Sequence, residues 1–167
     1  MKQVKPSDAL GCKCPEWIVM VVSRDTAEKP NVMPAGWGMI CSGQPLCVAV
    51  AISTRNYSCQ CIEDTGQFVF AWAGEGQEEL VQQTGTTSGR KIDKFREFHI
   101  PTSEPAEVMV PLLSGAAANL ECQLRHEYPS GDHVIFVGEV VAAHVSDPPI
   151  AKLENFDGRF AVARPAG

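Results

Sequence analysis

The residues able to do chemistry fall into three short runs. The first is Ser53-Thr54-Arg55-Asn56-Tyr57-Ser58, where a strand-like apolar pattern gives way to a helical one. Hydroxyls, a cation and the free N–H groups of a helix start would converge there, and an anion such as a phosphate binds readily at such a place. Capping by Thr54, with Arg55 in solvent, accounts for the same residues. The second run, Ser88 to Arg96, holds Arg90, Lys91, Lys94 and Arg96, four of the fourteen cations in the chain. Lys94 could serve as a point charge for a phosphate, with Ser88 and Gly89 as hydroxyl and backbone donors; an exposed charged turn is the plain alternative. The third run is Asn31-Val32-Met33-Pro34-Ala35-Gly36-Trp37. Its small residues let a flat ligand approach the backbone while Trp37 flanks it. A core Trp37, with Pro34 and Gly36 marking a bulge or an irregular edge, is the plain alternative.

Histidine and cysteine add less. His133 follows Gly131-Asp132 and could donate to a ligand oxygen or simply be structural. His99, His126 and His144 have no metal-ligand spacing to any cysteine. Cys12/Cys14 and Cys59/Cys61 are C-x-C pairs, but Cys59 and Cys61 on one helix would point roughly 200° apart, so reduced, partly buried thiols are expected. The sequence nominates no catalytic side chain and no metal site.

These runs need elements to position them. Short β-branched segments predict strands at Trp17 to Arg24, Asn31 to Cys41, Leu46 to Ser53, Gln67 to Ala73, Ala118 to Glu127 and His133 to Val145, with a last one near Gly158 to Ala163. Asp25 to Pro30 and Pro129 to Asp132 read as hairpin turns. Helices are expected from Arg55 to about Thr65, capped by Thr54 and ended by Gly66, and from Gly76 to Thr84, with Gly85 as the stop. Many antiparallel strands with few helices suggest a closed barrel, which removes unpaired edges. A chain of 167 residues supports one hydrophobic core, hence a single domain over residues 1–167. Fourteen Lys and Arg against twenty Asp and Glu give a net charge of −6, which argues against nucleic acid as a partner. The longest apolar run, Leu46 to Ile52, is too short for a bilayer, so no membrane partner is expected. The polar start and the odd count of seven cysteines point to the cytoplasm.

Taken in order, the segments resemble the flavin reductase-like family of FMN-binding split barrels, and within it the flavoredoxin group. Asn31 to Trp37 resembles the family's N-x-M-x-A-x-W; Tyr57-Ser58 followed by Glu63, Thr65, Gly66 and Phe68 resembles its post-strand helix and E-x-T-G-x-F. Ser88-Gly89 with Asp93-Lys94-Phe95 resembles S-G-x-x-x-D-K-F. Pro111-Leu112, Asn119-Leu120-Glu121-Cys122 and Gly131-Asp132-His133 with Phe136, Gly138, Glu139 and Val140 complete the series. Six such matches in sequence are hard to produce by chance.

The resemblance implies a mainly β, antiparallel Greek-key split β-barrel with a few short helices, holding FMN noncovalently in a homodimer. Carried over, Ser53, Thr54, Arg55, Ser58, Ser88, Gly89 and Lys94 would surround the phosphate and ribityl chain. Asn31, Met33, Pro34, Ala35 and Trp37 would lie by the isoalloxazine, with His133 reaching the flavin region. Gly158-Arg159-Phe160 resembles a glycine-aromatic motif in which Phe160 could cover the ring. Three readings follow: an oxidoreductase that takes reducing equivalents from NAD(P)H or a protein electron donor, a flavoredoxin-type carrier that keeps its FMN and does not oxidise nicotinamide, and a non-redox binding or sensing protein. No G-x-G-x-x-G fingerprint is present, and these barrels need none.

Overall fold

A computed structural model describes residues 1–164. After a 3₁₀ helix over Pro6–Lys13, the elements in chain order are β1 (Glu16–Trp17), β2 (Val19–Arg24), β3 (Pro30–Ala35), β4 (Gly38–Gly43), β5 (Leu46–Ser53), α1 (Tyr57–Thr65), β6 (Gln67–Trp72), α2 (Glu78–Thr86), α3 (Lys94–Glu97), β7 (Thr102–Ser103), β8 (Leu112–Leu113), β9 (Ala118–Ser130), β10 (His133–Val145), β11 (Leu153–Phe156) and β12 (Arg159–Val162). The structure is mostly β, with antiparallel sheets and few short helices, as expected.

The main sheet runs β3-β2-β6-β9-β10-β5-β4. Its two edges, β3 and β4, are joined by Gly36 and Trp37 alone, a link that spans no more than about 11 Å. A seven-stranded sheet whose opposite edges are that close must curl on itself, giving the split barrel. The expected single strand Asn31 to Cys41 is therefore corrected to two strands on opposite edges. The apolar run continues through the break although its two sides differ in burial: Val32 of β3 is buried, while Met39 and Ile40 of β4 are exposed.

Strands β2 and β6 are buried on both faces, so they read as continuous apolar runs without alternation. Val19 and Val21 join Val50, Ile52, Phe68, Phe70, Cys122 and Phe136 inside the curled sheet, where Cys59 and Ile62 of α1 also pack. Met20 and Val22 face the other way, toward Val81 of α2, Phe95 of α3, Leu113 and Leu153. This outer cluster holds α2 and α3 against β3. It is closed by a small sheet, β1-β11-β12, whose β11–β12 turn places Asp157 and Gly158 at positive φ, the hairpin geometry favoured by such residues. Strand β12 matches the expected last strand; β11 was not expected.

Two helix expectations need correction. Thr54 does not cap α1: Asn56 is the N-cap and no side chain caps the helix. Thr54 is instead committed to the β9–β10 turn, its N–H and Oγ1 both donating to the Asp132 carbonyl at 3.1 and 3.4 Å. Helix α2 runs through Gly85 to Thr86. A Cβ on Gly85 would sit 3.0 Å from Cγ of Pro34, so glycine serves close packing of the helix on β3 there and is not a stop signal.

Candidate functional site

A cavity of about 330 Å³ opens between β3, the start of α1 and the loop that joins α2 to α3. Its size is that of a small-molecule site. It gathers Asn31, Met33, Pro34, Arg55, Ser58, Ser88, Gly89 and Lys94 from the sequence-nominated residues.

Asn31 sits on β3 at the floor. Its amide Nδ2 donates to Oγ of Ser58 at 2.8 Å, tying strand to helix. Its carbonyl Oδ1 is buried with no partner among the described residues. A buried acceptor without a donor is costly, and in native structures such atoms tend to await a ligand or water. The space around it exists because residue 89 is glycine: a Cβ there would lie 2.1 Å from Asn31 Oδ1. Above Asn31, α1 begins without a side-chain cap, so its first N–H groups are free to receive an anion. Ser88 helps shape the opposite wall, its Oγ accepting from the Arg90 N–H at 3.3 Å and its carbonyl from the Lys91 N–H at 3.0 Å.

Lys94 is not an exposed point charge. Only 3% exposed, it donates from Nζ to the Val32 and Thr84 carbonyls, both at 2.7 Å. Burial lowers its pKa to about 8. Of its three donors, two brace β3 against α2, while the side chain still lines the cavity. The Tyr57 hydroxyl donates to Asp25 Oδ2 at 2.8 Å; burial and this bond push its pKa up to about 12, so the phenol stays a neutral donor.

Six nominated residues lie outside this cavity. Ala35 and Phe160 line a neighbouring hollow of about 270 Å³, walled by Trp17, Ile18 and Val81, which meets the first at Pro34. Trp37 and His133 stack with ring centroids 4.8 Å apart, and His133 Nδ1 lies 2.6 Å from Asp132 Oδ1. Trp37 is 49% exposed, so the core reading of it is overturned. Ser53 pairs with His133 across β5 and β10, next to Thr54. The cavity also contains Asn56, Tyr57 and Thr84 to Thr87, none of which the residue types nominated as site members. The run Thr84-Gly85-Thr86-Thr87-Ser88-Gly89 carries a signal of small hydroxyl residues, but its first half reads as helix.

The model of the flavin reductase like domain matches residues 11–164. The chain belongs to the flavin reductase-like family. Among its relatives is an uncharacterized protein of Archaeoglobus fulgidus, 38% identical over 114 residues, which are 68% of this chain and 64% of that relative. The chain thus spans less than two thirds of that relative's length. Among solved structures, an FMN-binding protein from Thermus thermophilus is 26% identical, with 97% of this chain and 94% of that one covered and a TM-score of 0.83. The Streptomyces globisporus NADH:FAD oxidoreductase SgcE6, in complex with NAD and FAD fragments, is 25% identical with 99% and 98% covered and a TM-score of 0.84. Flavoredoxin of Desulfovibrio vulgaris shares the fold at 21% identity, covering 99% and 95%, with a TM-score of 0.85. The family binds flavin, and the residues of the cavity fit part of one: the orphaned acceptor of Asn31 suits a ribityl hydroxyl, and the uncapped helix start with Ser58 and Ser88 suits a phosphate.

Proposed function

We propose that the protein is an FMN-dependent oxidoreductase, a single domain that holds FMN noncovalently and exchanges reducing equivalents with NAD(P)H. The observation that carries this reading is the unpartnered Oδ1 of Asn31, facing Gly89 beside the uncapped start of α1. FMN is favoured over FAD because the polar cavity ends in donors suited to one terminal phosphate. Bound FMN supplies the redox chemistry. The chain's own residues bind and orient it: Ser58, Ser88, Arg55 and the α1 N–H groups receive the phosphate, Lys94 adds charge from below, and Asn31 accepts from the ribityl chain. Met33, Pro34 and Ala35, with Phe160 across the neighbouring hollow, provide a dry wall for the ring.

A homodimer is part of the reading. Trp37, Met39, Ile40 and Leu46 are exposed on and around the edge strand β4, and an apolar open edge of that kind favours a covering partner. We assign the protein to the cytoplasm, since all seven cysteines are free thiols, as suits a reducing compartment. No helix among the described residues is long and apolar enough to cross a membrane.

The test is an anaerobic titration of the FMN-loaded protein with NADH and NADPH, followed by flavin absorbance. Bleaching by either supports the oxidoreductase. Bleaching only by a reduced protein donor replaces it with an electron carrier, and a protein that cannot be loaded with FMN removes both.

A further inference from the structure

Behind the cavity wall lies a polar assembly that the flavin reading leaves unused. The β2–β3 turn is tied to itself: Asp25 Oδ1 accepts from the N–H groups of Ala27 and Lys29, both at 2.9 Å, and the Asp25 N–H donates to the Lys29 carbonyl at 3.0 Å. Neither Asp25 nor Lys29 lines the cavity. Each reaches a residue that does. Asp25 Oδ2 receives the Tyr57 hydroxyl at 2.8 Å, and Lys29 Nζ donates to the Gly89 carbonyl at 2.7 Å, across sixty positions of sequence. The Tyr57 ring is flanked by two cations, with Lys29 Nζ 5.4 Å and the Arg90 guanidinium 4.8 Å from its centroid. Arg90 in turn donates to Gln60 of α1 at 2.6 Å. Turn, helix start and Ser88–Gly89 loop are thus clamped around one aromatic ring.

We propose that the Asp25–Lys29 turn is a buttress for the phosphate end of the flavin site, in which Lys29, through Gly89, and Asp25, through Tyr57, are positioning residues that determine how tightly a phosphorylated flavin is held. The inference rests on the flavin reading above and deepens it. Its physical basis is preorganisation. A loop already fixed by contacts outside the cavity loses little freedom when it closes on a phosphate, whereas a loose loop must be ordered on binding. The Asp25 carboxylate is suited to the task. Burial alone would raise its pKa, but the hydrogen bonds from Tyr57, Lys29 and Ala27 outweigh that and hold it below the usual carboxylate range, so the anchor stays ionised at neutral pH.

The phosphate end is separable from the rest of the ligand by comparing FMN with riboflavin, which lacks the phosphate. Both dissociation constants are read from flavin fluorescence, first with the unmodified protein and then with Lys29→Met, Lys29→Arg and Tyr57→Phe. Lys29→Met should raise the FMN constant about tenfold, the scale of one charge-assisted contact, while leaving the riboflavin constant unchanged. Tyr57→Phe should act in the same direction, and Lys29→Arg should restore most of the loss. An equal weakening of FMN and riboflavin, or unchanged FMN binding in both Lys29→Met and Tyr57→Phe, overturns the proposal. If Lys29→Met does not fold, Tyr57→Phe carries the same comparison. Failure of the unmodified protein to bind FMN overturns the flavin reading itself and the buttress with it.

Discussion

Asn31 and Gly89 meet where no side chain fits between them: a Cβ on residue 89 would lie 2.1 Å from Asn31 Oδ1 and 2.8 Å from its Cγ. The contact joins β3 to the loop after α2 and leaves a buried acceptor facing the cavity. Gly89→Ala should therefore push the Asn31 amide aside and strain its 2.8 Å bond to Ser58. The expected result is a loss of FMN affinity of about 1–3 kcal/mol with the fold retained, measured by fluorescence titration beside a thermal melt.

Lys94 should make flavin binding depend on pH. Burial puts the pKa of its amine at about 8, and a dianionic phosphate nearby would raise it, so binding takes up a proton once pH exceeds that value. Affinity for FMN should then fall as pH rises between about 7.5 and 9.5. Lys94→Met should bind FMN about tenfold more weakly at neutral pH and show a flatter profile, read from dissociation constants at matched ionic strength.

Glu121 predicts the acid limit of stability. Fully buried on β9, it accepts from the N–H groups of Ala106, Glu107 and Val108 at 2.7–2.9 Å and lies 2.6 Å from His144 Nε2. Burial would raise its pKa, but these partners together hold it below the usual carboxylate range. A carboxyl depressed in the folded state adds stability that is present above about pH 4.5 and lost as pH falls through the folded value. Glu121→Gln should cost on the order of 3 kcal/mol at neutral pH and flatten the acid side of a plot of melting temperature against pH.

Much of this was legible in the sequence because it is local. The hairpin turns within Asp25 to Pro30 and Pro129 to Asp132 were, since turn chemistry acts over a few residues, although β3 already starts at Pro30 and β9 runs on to Ser130; β10 begins and ends at His133 and Val145 as expected. The family motifs placed Asn31, Ser58, Ser88 and Gly89 together. What the sequence hid is long-range. Nothing local shows that Thr54 serves a turn seventy-eight positions away, or that the Lys94 amine is committed to carbonyls of β3 and α2. The break at Gly36-Trp37 was hidden for a related reason: apolar residues continue from β3 into β4 whether buried, as Val32, or exposed, as Met39 and Ile40, so periodicity does not mark where the barrel splits. Strand β11 is set by the burial of Leu153 in the outer cluster, a tertiary fact.

The central claim, that FMN occupies the cavity around Asn31, is tested most directly by titrating FMN fluorescence with the unmodified protein and with Asn31→Leu, which removes both the buried acceptor and the bond to Ser58. Saturable quenching at one FMN per chain, weakened at least about tenfold by Asn31→Leu, is the expected result. Unquenched FMN with a folded protein, or equal affinity in both proteins, would contradict it.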